Sequence, residues 1–342
     1  MIKPARPYLV AVSLLCAALL LSVGVGSVWI APDALLQVLF NRLFSTQLPQ
    51  DISPAFATIL FDLRMPRTLL VALVGAGLAG SGAAYQGLFR NPLADPYLIG
   101  VASGAGLGAV IAMGVRWPYT DLGLLATPLA AFAGALLTVW IVYQLARVAR
   151  TVPTTNLILA GVAVSSFTSA ATSFLMINST GELRRAIVWL LGGSTLSGWQ
   201  PVVAVLPYIV LGIGALLTMG HALNVLQFGD EQAQQLGLPV ERVRRWVVLA
   251  ATLTTAAAVA FAGVIGFAGL VVPHLVRLTT GSDYRRLLPL SVLCGASFLL
   301  AADVLARVVM APQELPVGVI TSLAGAPFFL WVLRRAKQQN FW

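Results

Sequence analysis

The stretch "WVVLAATLTTAAAVAFAGVIGFAGLVVPH", residues 246–274, decides the fold. It carries no formal charge from end to end, so it reads either as one long bent helix or as two helices meeting at Gly263–Gly266. A helix rises about 1.5 Å per residue and needs about 20 apolar residues to cross about 30 Å of hydrocarbon. Splitting the stretch gives ten candidate spans, 8–30, 66–88, 97–115, 122–146, 155–177, 201–221, 245–263, 266–279, 288–310 and 316–333, and puts both termini on one side. Charge tests that choice. With ten spans, Lys3, Arg6, Arg90, Arg147, Arg150, Arg242, Arg244, Arg245, Arg277, Arg285, Arg286, Arg334, Arg335 and Lys337 share one side, 14 of the 21 basic residues. The remaining 7, Arg42, Arg64, Arg67, Arg116, Arg184, Arg185 and Arg307, share the other. Cytoplasmic loops carry the excess of basic residues, so the split is preferred and both termini are expected in the cytoplasm.

The composition requires such a reading. The chain of 342 residues is 58% hydrophobic and 10% charged, with a mean hydropathy of +0.89. A soluble protein keeps a polar face on most helices, whereas many segments here are apolar all round. The chain is a multi-pass α-helical membrane protein, a single transmembrane domain over residues 1–342. Its basic N-terminus resembles a signal peptide, but the apolar stretch that follows is too long and has no convincing cleavage site, so it reads as a retained first span. Cys16 and Cys294 lie in separate apolar runs and read as core-filling residues rather than a disulfide or a metal site. The net charge of +9 is dispersed between apolar runs, which suits membrane topology and not nucleic acid.

Small residues cluster inside the spans, as "GAGLAGSG" at 75–82 and as Gly100, Gly104 and Gly108 at four-residue spacing. In lipid such surfaces let helix backbones approach closely; packing within one subunit is the expectation, a homodimer seam the alternative. A short likeness between "VALVGAGLAG" (71–80) and "VAFAGVIGFAG" (259–269) hints at inverted repeats of the kind transporters use.

Enzyme constellations are missing. His221 and His274 are far apart, and no HExxH, CxxC or paired carboxylates occur. A phosphate-binding Walker loop needs a lysine, and the only lysines are Lys3 and Lys337, so the chain is not expected to hydrolyse ATP itself. An ion-coupled carrier keeps an ionisable group at mid-membrane. Asp95 belongs to a loop or helix start, and Asp303 is four residues from Arg307, a spacing that allows a helical ion pair. Neither is a persuasive coupling site, which leaves a self-sufficient secondary carrier as the alternative class.

One further stretch is out of place. "LQFGDEQAQQLGLPVERVRR", residues 226–245, is a soluble-looking helix with a glycine stop, and Asp230 and Glu231 fall at its start, where negative charge suits the helix dipole. Ala233, Leu236 and Leu238 are too few to bury it as a span. It is either a docking element for a soluble partner or a solvated linker.

Four segments together resemble one family, the FecCD-type permease subunits of ATP-binding-cassette (ABC) importers for ferric siderophores, haem and vitamin B12. They are "LRMPRTLLVALVGAGLAGSGAAYQGLFRNPLADPYLIGVASGAGLGA" (63–109), the 230–239 helix with "LGLP", "GVIGFAGLVVPHLVRL" (263–278) and "LLAADVLARVVMAPQELPVGVITSLAGAPFFLWVLRR" (299–335). The resemblance implies an all-α integral membrane subunit of about ten transmembrane helices, like the vitamin B12 permease, working as a homodimer or pseudo-symmetric dimer in the bacterial inner membrane. Its implied partners are a second permease subunit, two cytoplasmic ABC ATPases, a periplasmic or lipid-anchored substrate-binding protein and membrane lipid. No cofactor is expected on this chain; ATP and Mg²⁺ belong to the ATPase. The implied cargo is an iron chelate, a ferric siderophore or haem, with cobalamin the alternative.

The resemblance also assigns residues. Its coupling element between the sixth and seventh spans matches 227–238, hence Gln227, Phe228, Gly229, Asp230, Glu231, Ala233, Leu236, Gly237 and Leu238. Arginines that meet glutamates of the binding protein match Arg64, Arg67 and Arg307; guanidinium pairs well with carboxylate, although snorkelling, or for Arg307 a pairing with Asp303, would also account for them. The cytoplasmic gate matches Thr154 and Thr155, which as bare residues read equally as a helix N-cap.

Overall fold

The computed structural model describes residues 5–26, 30–44, 55–115, 117, 120–149, 151–178, 183–193 and 197–338. Lys3, Arg116 and Arg150, and the side chains of Arg335 and Lys337, lie outside the described residues. The described chain is helical throughout, without a strand beyond the isolated bridge between Val148 and Thr151. In order, the helices are α1 (Arg6–Gly24), α2 (Pro32–Phe44), α3 (Ala55–Leu88), α4 (Val101–Met113), α5 (Asp121–Ala146), α6 (Thr154–Ile177) and α7 (Leu183–Leu190). They continue with α8 (Trp199–Thr218), α9 (Gly220–Leu226), α10 (Asp230–Gln235), α11 (Val240–Ala262), α12 (Ala268–Thr280), α13 (Tyr284–Val308) and α14 (Val317–Gln338).

All ten expected spans correspond to helices, and the uncharged stretch does break. Helix α11 stops at Gly263, whose φ of 78° is left-handed, and α12 starts after Phe267, also left-handed at 67°. Among the described residues, seven helices are long and apolar enough to cross a membrane. Helices α4 and α12 are shorter, 13 residues each, or about 20 Å. The expected span 97–115 therefore begins only at Val101, after Gly100 with φ 85°. The non-helical starts of α4 and α12 meet inside the bundle. The Tyr97 hydroxyl donates to the Ile265 carbonyl (2.8 Å) and accepts from the Ile265 N–H (3.2 Å). In lipid a backbone group without a partner costs several kcal/mol, and this one phenol serves both backbone groups of Ile265.

Helix α3 is the central post, packed against α8, α11, α12 and α13. Burial separates interior from periphery: the apolar windows of α3 and α11 are each 78% buried, those of α1 and α6 only 17% and 22%. The glycines make this packing possible within one subunit. A Cβ on Gly75 or on Gly295 would strike the other's carbonyl, and one on Gly82 would strike the backbone of Gly269. Gly104 and Gly108 press in the same way against Gly134 and Ala130 of α5. The suggested inverted repeat does not hold locally, since 71–80 lies inside α3 whereas 259–269 straddles the α11–α12 break. Cys294 is half-buried, but Cys16 is exposed on the periphery of α1 rather than filling the core.

Four of the fourteen described helices lie outside the ten-span scheme: α9 and α10, which join α8 to α11, and the isolated α2 and α7. Helix α2 covers one end of the bundle through a small apolar cluster of Ile30, Ala34, Val38 and Leu60. Helix α7 ends beside the break, where a Cβ on Gly263 would strike the Trp189 carbonyl.

Candidate functional site

Two groups of polar side chains lie at opposite ends of α3, one around Gln227 at Gly87 and one around Arg64 and Arg67. At one end lies the 226–245 stretch, which folds as the last residue of α9, a tight turn, α10 and the start of α11. Gly229 (φ 102°) begins α10 and Gly237 (φ 83°) ends it. The Gly237 N–H donates to Gln234 O and the Leu238 N–H to Ala233 O, both at 2.9 Å. This paired closure satisfies the last carbonyls and needs a left-handed residue. Ala233 is fully buried and Leu238 packs on the same core, so the closure is anchored by apolar contact.

The rest of α10 is presented to solvent. Phe228 and Leu236 are 65% and 67% exposed, and Glu231 is exposed beside them. Their mount is polar. Gln227 Nε2 donates to Gly87 O at the end of α3 (2.9 Å) and to Leu223 O (3.0 Å). Asn224 Nδ2 donates to Asp283 Oδ1 (2.6 Å), and Asn224 Oδ1 accepts from the Tyr284 N–H (2.8 Å). Asp283 in turn accepts from Arg285 at the start of α13. The charge-assisted hydrogen bond from Arg285, reinforced by Asn224, holds the Asp283 carboxyl well below the usual carboxylate range. These hydrogen bonds tie the stretch, with α9 before it, to α3 and α13 at several points.

Thr154 and Thr155 open α6 at this same end, half-buried and exposed respectively. The helix N-cap is Pro153, and no side-chain cap hydrogen bond forms. The capping alternative for the two threonines is thus not what the chain adopts.

The opposite end holds Arg64, Arg67 and Arg307, all on the wall of a half-open cavity of about 450 Å³. The three are not equivalent. Arg307 is 3% exposed and donates to Ser22 O (3.2 and 3.1 Å), Val25 O (3.0 Å) and Ser22 Oγ (3.0 Å). Arg64 is 6% exposed and donates to Val23 O (3.1 Å) and Gly24 O (2.9 Å). Together they satisfy the orphan carbonyls of the last turn of α1, where positive charge is also favoured by the dipole. A surface role for Arg64 and Arg307 needs a guanidinium free to meet a partner, and these two are committed inside the fold. Arg67 alone is part-exposed, at 35%. It donates to the fully buried Asp303 (2.9 Å) and to Glu314 at the rim (2.6 Å). Asp303 also pairs with Arg307 at 3.0 Å across one helical turn, the ion pair that their spacing allows.

Arg64 sits in a π turn, Ile59–Arg64, directly upstream of Pro66. Proline has no N–H to donate, and π turns inside helices concentrate at functional positions. The residues that sequence reasoning missed are Ser22, Glu314, Glu241 and the role of Arg244. Only the i, i+4 spacing of Asp303 and Arg307 signalled any of this wiring.

With this geometry in place, the chain can be set against known proteins. The sequence pattern of the FecCD transport family matches residues 14–335. A cobalamin import system permease protein of Halobacterium salinarum is 49% identical over 276 residues, 81% of this chain and 73% of that one. A hemin transport system permease protein of Yersinia pestis is 41% identical over 89% of this chain and 90% of that one. A solved structure described as an inward-facing conformation of a metal-chelate type ABC transporter matches with a TM-score of 0.81 and 29% identity, covering 97% of this chain and 99% of that one.

Proposed function

The chain belongs to the FecCD transport family, and on that premise we propose that it is the permease subunit of an importer whose ATP is hydrolysed by a separate ABC ATPase. The observation that carries the proposal is α10, a short helix that holds Phe228 and Leu236 in solvent from a mount hydrogen-bonded into α3 and α13. Exposed apolar side chains on a polar pedestal suit the groove of a soluble partner. In this reading 227–238 is the coupling element, two ATPases bind that end, and it faces the cytoplasm together with both termini. The membrane is the bacterial inner membrane, and a second permease subunit completes the path.

At the opposite end a periplasmic or lipid-anchored binding protein delivers the cargo. The docking role passes to Arg67, while Arg64 and Arg307 hold the surface it stands on. Thr154 and Thr155 close the path at the ATPase end, small enough to part for a bulky solute. ATP and the binding protein favour different access states, and their differential affinities drive the cycle; no covalent step occurs in the permease.

The cargo is a bulky metal chelate carried by its binding protein. An iron chelate is one reading, supported by the hemin permease relative. The 49% identity to a cobalamin permease supports a corrinoid as the second. Vesicles holding the permease, ATPase and binding protein decide between them: labelled haem, ferric siderophore and cobalamin are offered in turn, and only the true cargo accumulates with ATP. Uphill uptake by the permease alone, without ATP, would sink the importer reading.

A further inference from the structure

One buried arginine at the α10 end joins two segments far apart in sequence. Arg244, in the second turn of α11, is 2% exposed. Its Nη2 donates to Asp230 Oδ2, on the first residue of α10 (2.5 Å), and its Nη1 donates to Glu241 Oε1. The other oxygen of that carboxylate, Glu241 Oε2, accepts from the Val152 N–H (3.3 Å). Val152 is 3% exposed and lies two residues ahead of Thr154, where α6 begins. Three contacts therefore run from α10 to the start of α6.

Helix α11 alone does not account for Arg244. A cation near a helix N-terminus opposes the dipole, and burying a guanidinium is costly unless it is paired and hydrogen-bonded. Two carboxylates, one on α10 and one on α11, take its two Nη groups, while Nε has no partner among the described residues, so the arginine serves the junction as well as the helix. The far end of the chain of contacts has little slack. Val152 follows a turn closed by reciprocal hydrogen bonds between Val148 and Thr151 (2.9 and 3.0 Å) and precedes Pro153, whose ring fixes φ. A shift of the Glu241 carboxylate is then passed to the first turn of α6 rather than absorbed.

We propose that Arg244 and Glu241 are positioning residues that carry displacement of α10 to Thr154 and Thr155. The inference rests on reading α10 as the ATPase-docking element and the two threonines as the gate. When the ATPases pull on α10, Asp230 draws Arg244, Arg244 draws the Glu241 carboxylate, and the Val152 N–H follows it.

The test uses the full assembly of permease, ATPase and binding protein in vesicles, with uptake and ATP hydrolysis read in parallel. Glu241→Ala removes both the partner of Arg244 and the acceptor for Val152. Uptake per ATP should fall about ten-fold, within the usual range of coupling energies, while the ATPase still co-purifies and hydrolyses ATP. Glu241→Gln keeps an acceptor oxygen for Val152 and should fall less; Arg244→Lys, able to serve one carboxylate well, should recover part of the loss seen in Arg244→Met. A nitroxide at Thr155, in a background with Cys16 and Cys294 replaced by serine, should change mobility on ATP addition, and that response should vanish with Glu241→Ala. Unchanged uptake per ATP in Glu241→Ala overturns the relay alone. So does joint loss of ATPase co-purification and uptake, the mark of a structural anchor. A wild-type assembly with no ATP-dependent uptake overturns the reading of α10, and the relay with it.

Discussion

Both ends of the bundle carry arginines set against carboxylates, and they use them in opposite ways. At the end with Arg64, Arg67 and Arg307, two of three guanidiniums are buried and serve the last carbonyls of α1. At the α10 end one arginine is buried among the described residues, Arg244, and it supports a helix flanked by the solvent-exposed Phe228 and Leu236. The first arrangement hides charge to hold the chain together; the second hides charge to hold apolar surface out. Charge count therefore does not reveal which surface meets a partner, because a buried guanidinium and an exposed one are the same letter in a sequence.

Substitution at Arg307 should have the largest effect. Arg307→Ala leaves carbonyls of α1 and the buried Asp303 short of partners, and should cost about 3–5 kcal/mol of stability, read as thermal unfolding of the purified chain in detergent. Arg67→Ala removes the hydrogen bonds to Asp303 Oδ1 but leaves the ion pair with Arg307 in place, and should cost less, about 1.5–3 kcal/mol in the same assay; equal losses would erase the distinction between the two arginines.

The α10 end is sharpened by Leu236→Asp and Phe228→Asp. Each should lower ATPase co-purification by about ten-fold or more, in the range of a buried apolar anchor at an interface, with unfolding unchanged. A smaller effect is expected from Arg67→Glu, which should weaken stimulation of ATP hydrolysis by the binding protein while ATPase association stays intact.

Acid should have the slightest effect. The Asp283 carboxyl is held low in the folded chain, chiefly by its hydrogen bond from Arg285, so its contribution is present above the unfolded carboxylate value of about 4 and is lost as pH falls through and below it. Asp283 is near the surface, and solvent screens the effect. Wild type and Asp283→Asn should therefore differ slightly in unfolding temperature at pH 6 and converge toward pH 3.

Much of the helical plan was legible in the sequence. Apolar length located all ten spans, and the Gly263–Gly266 break emerged from the balance of basic residues rather than from local pattern. The small-residue runs were legible as packing, since glycine allows backbone contact whatever its partner. The wiring was not legible. Arg67 meets Asp303 across 236 positions and Arg307 meets Ser22 across 285, so neither partner could be named before the helices were placed. Helices α2 and α7 escaped because they are too short or too polar to register as spans, and α4 shrank because Gly100 starts it late.

The two 13-residue helices, α4 and α12, are tied tip to tip by the phenol of Tyr97, so Tyr97→Phe would take from the N–H and the carbonyl of Ile265 their shared partner in one step.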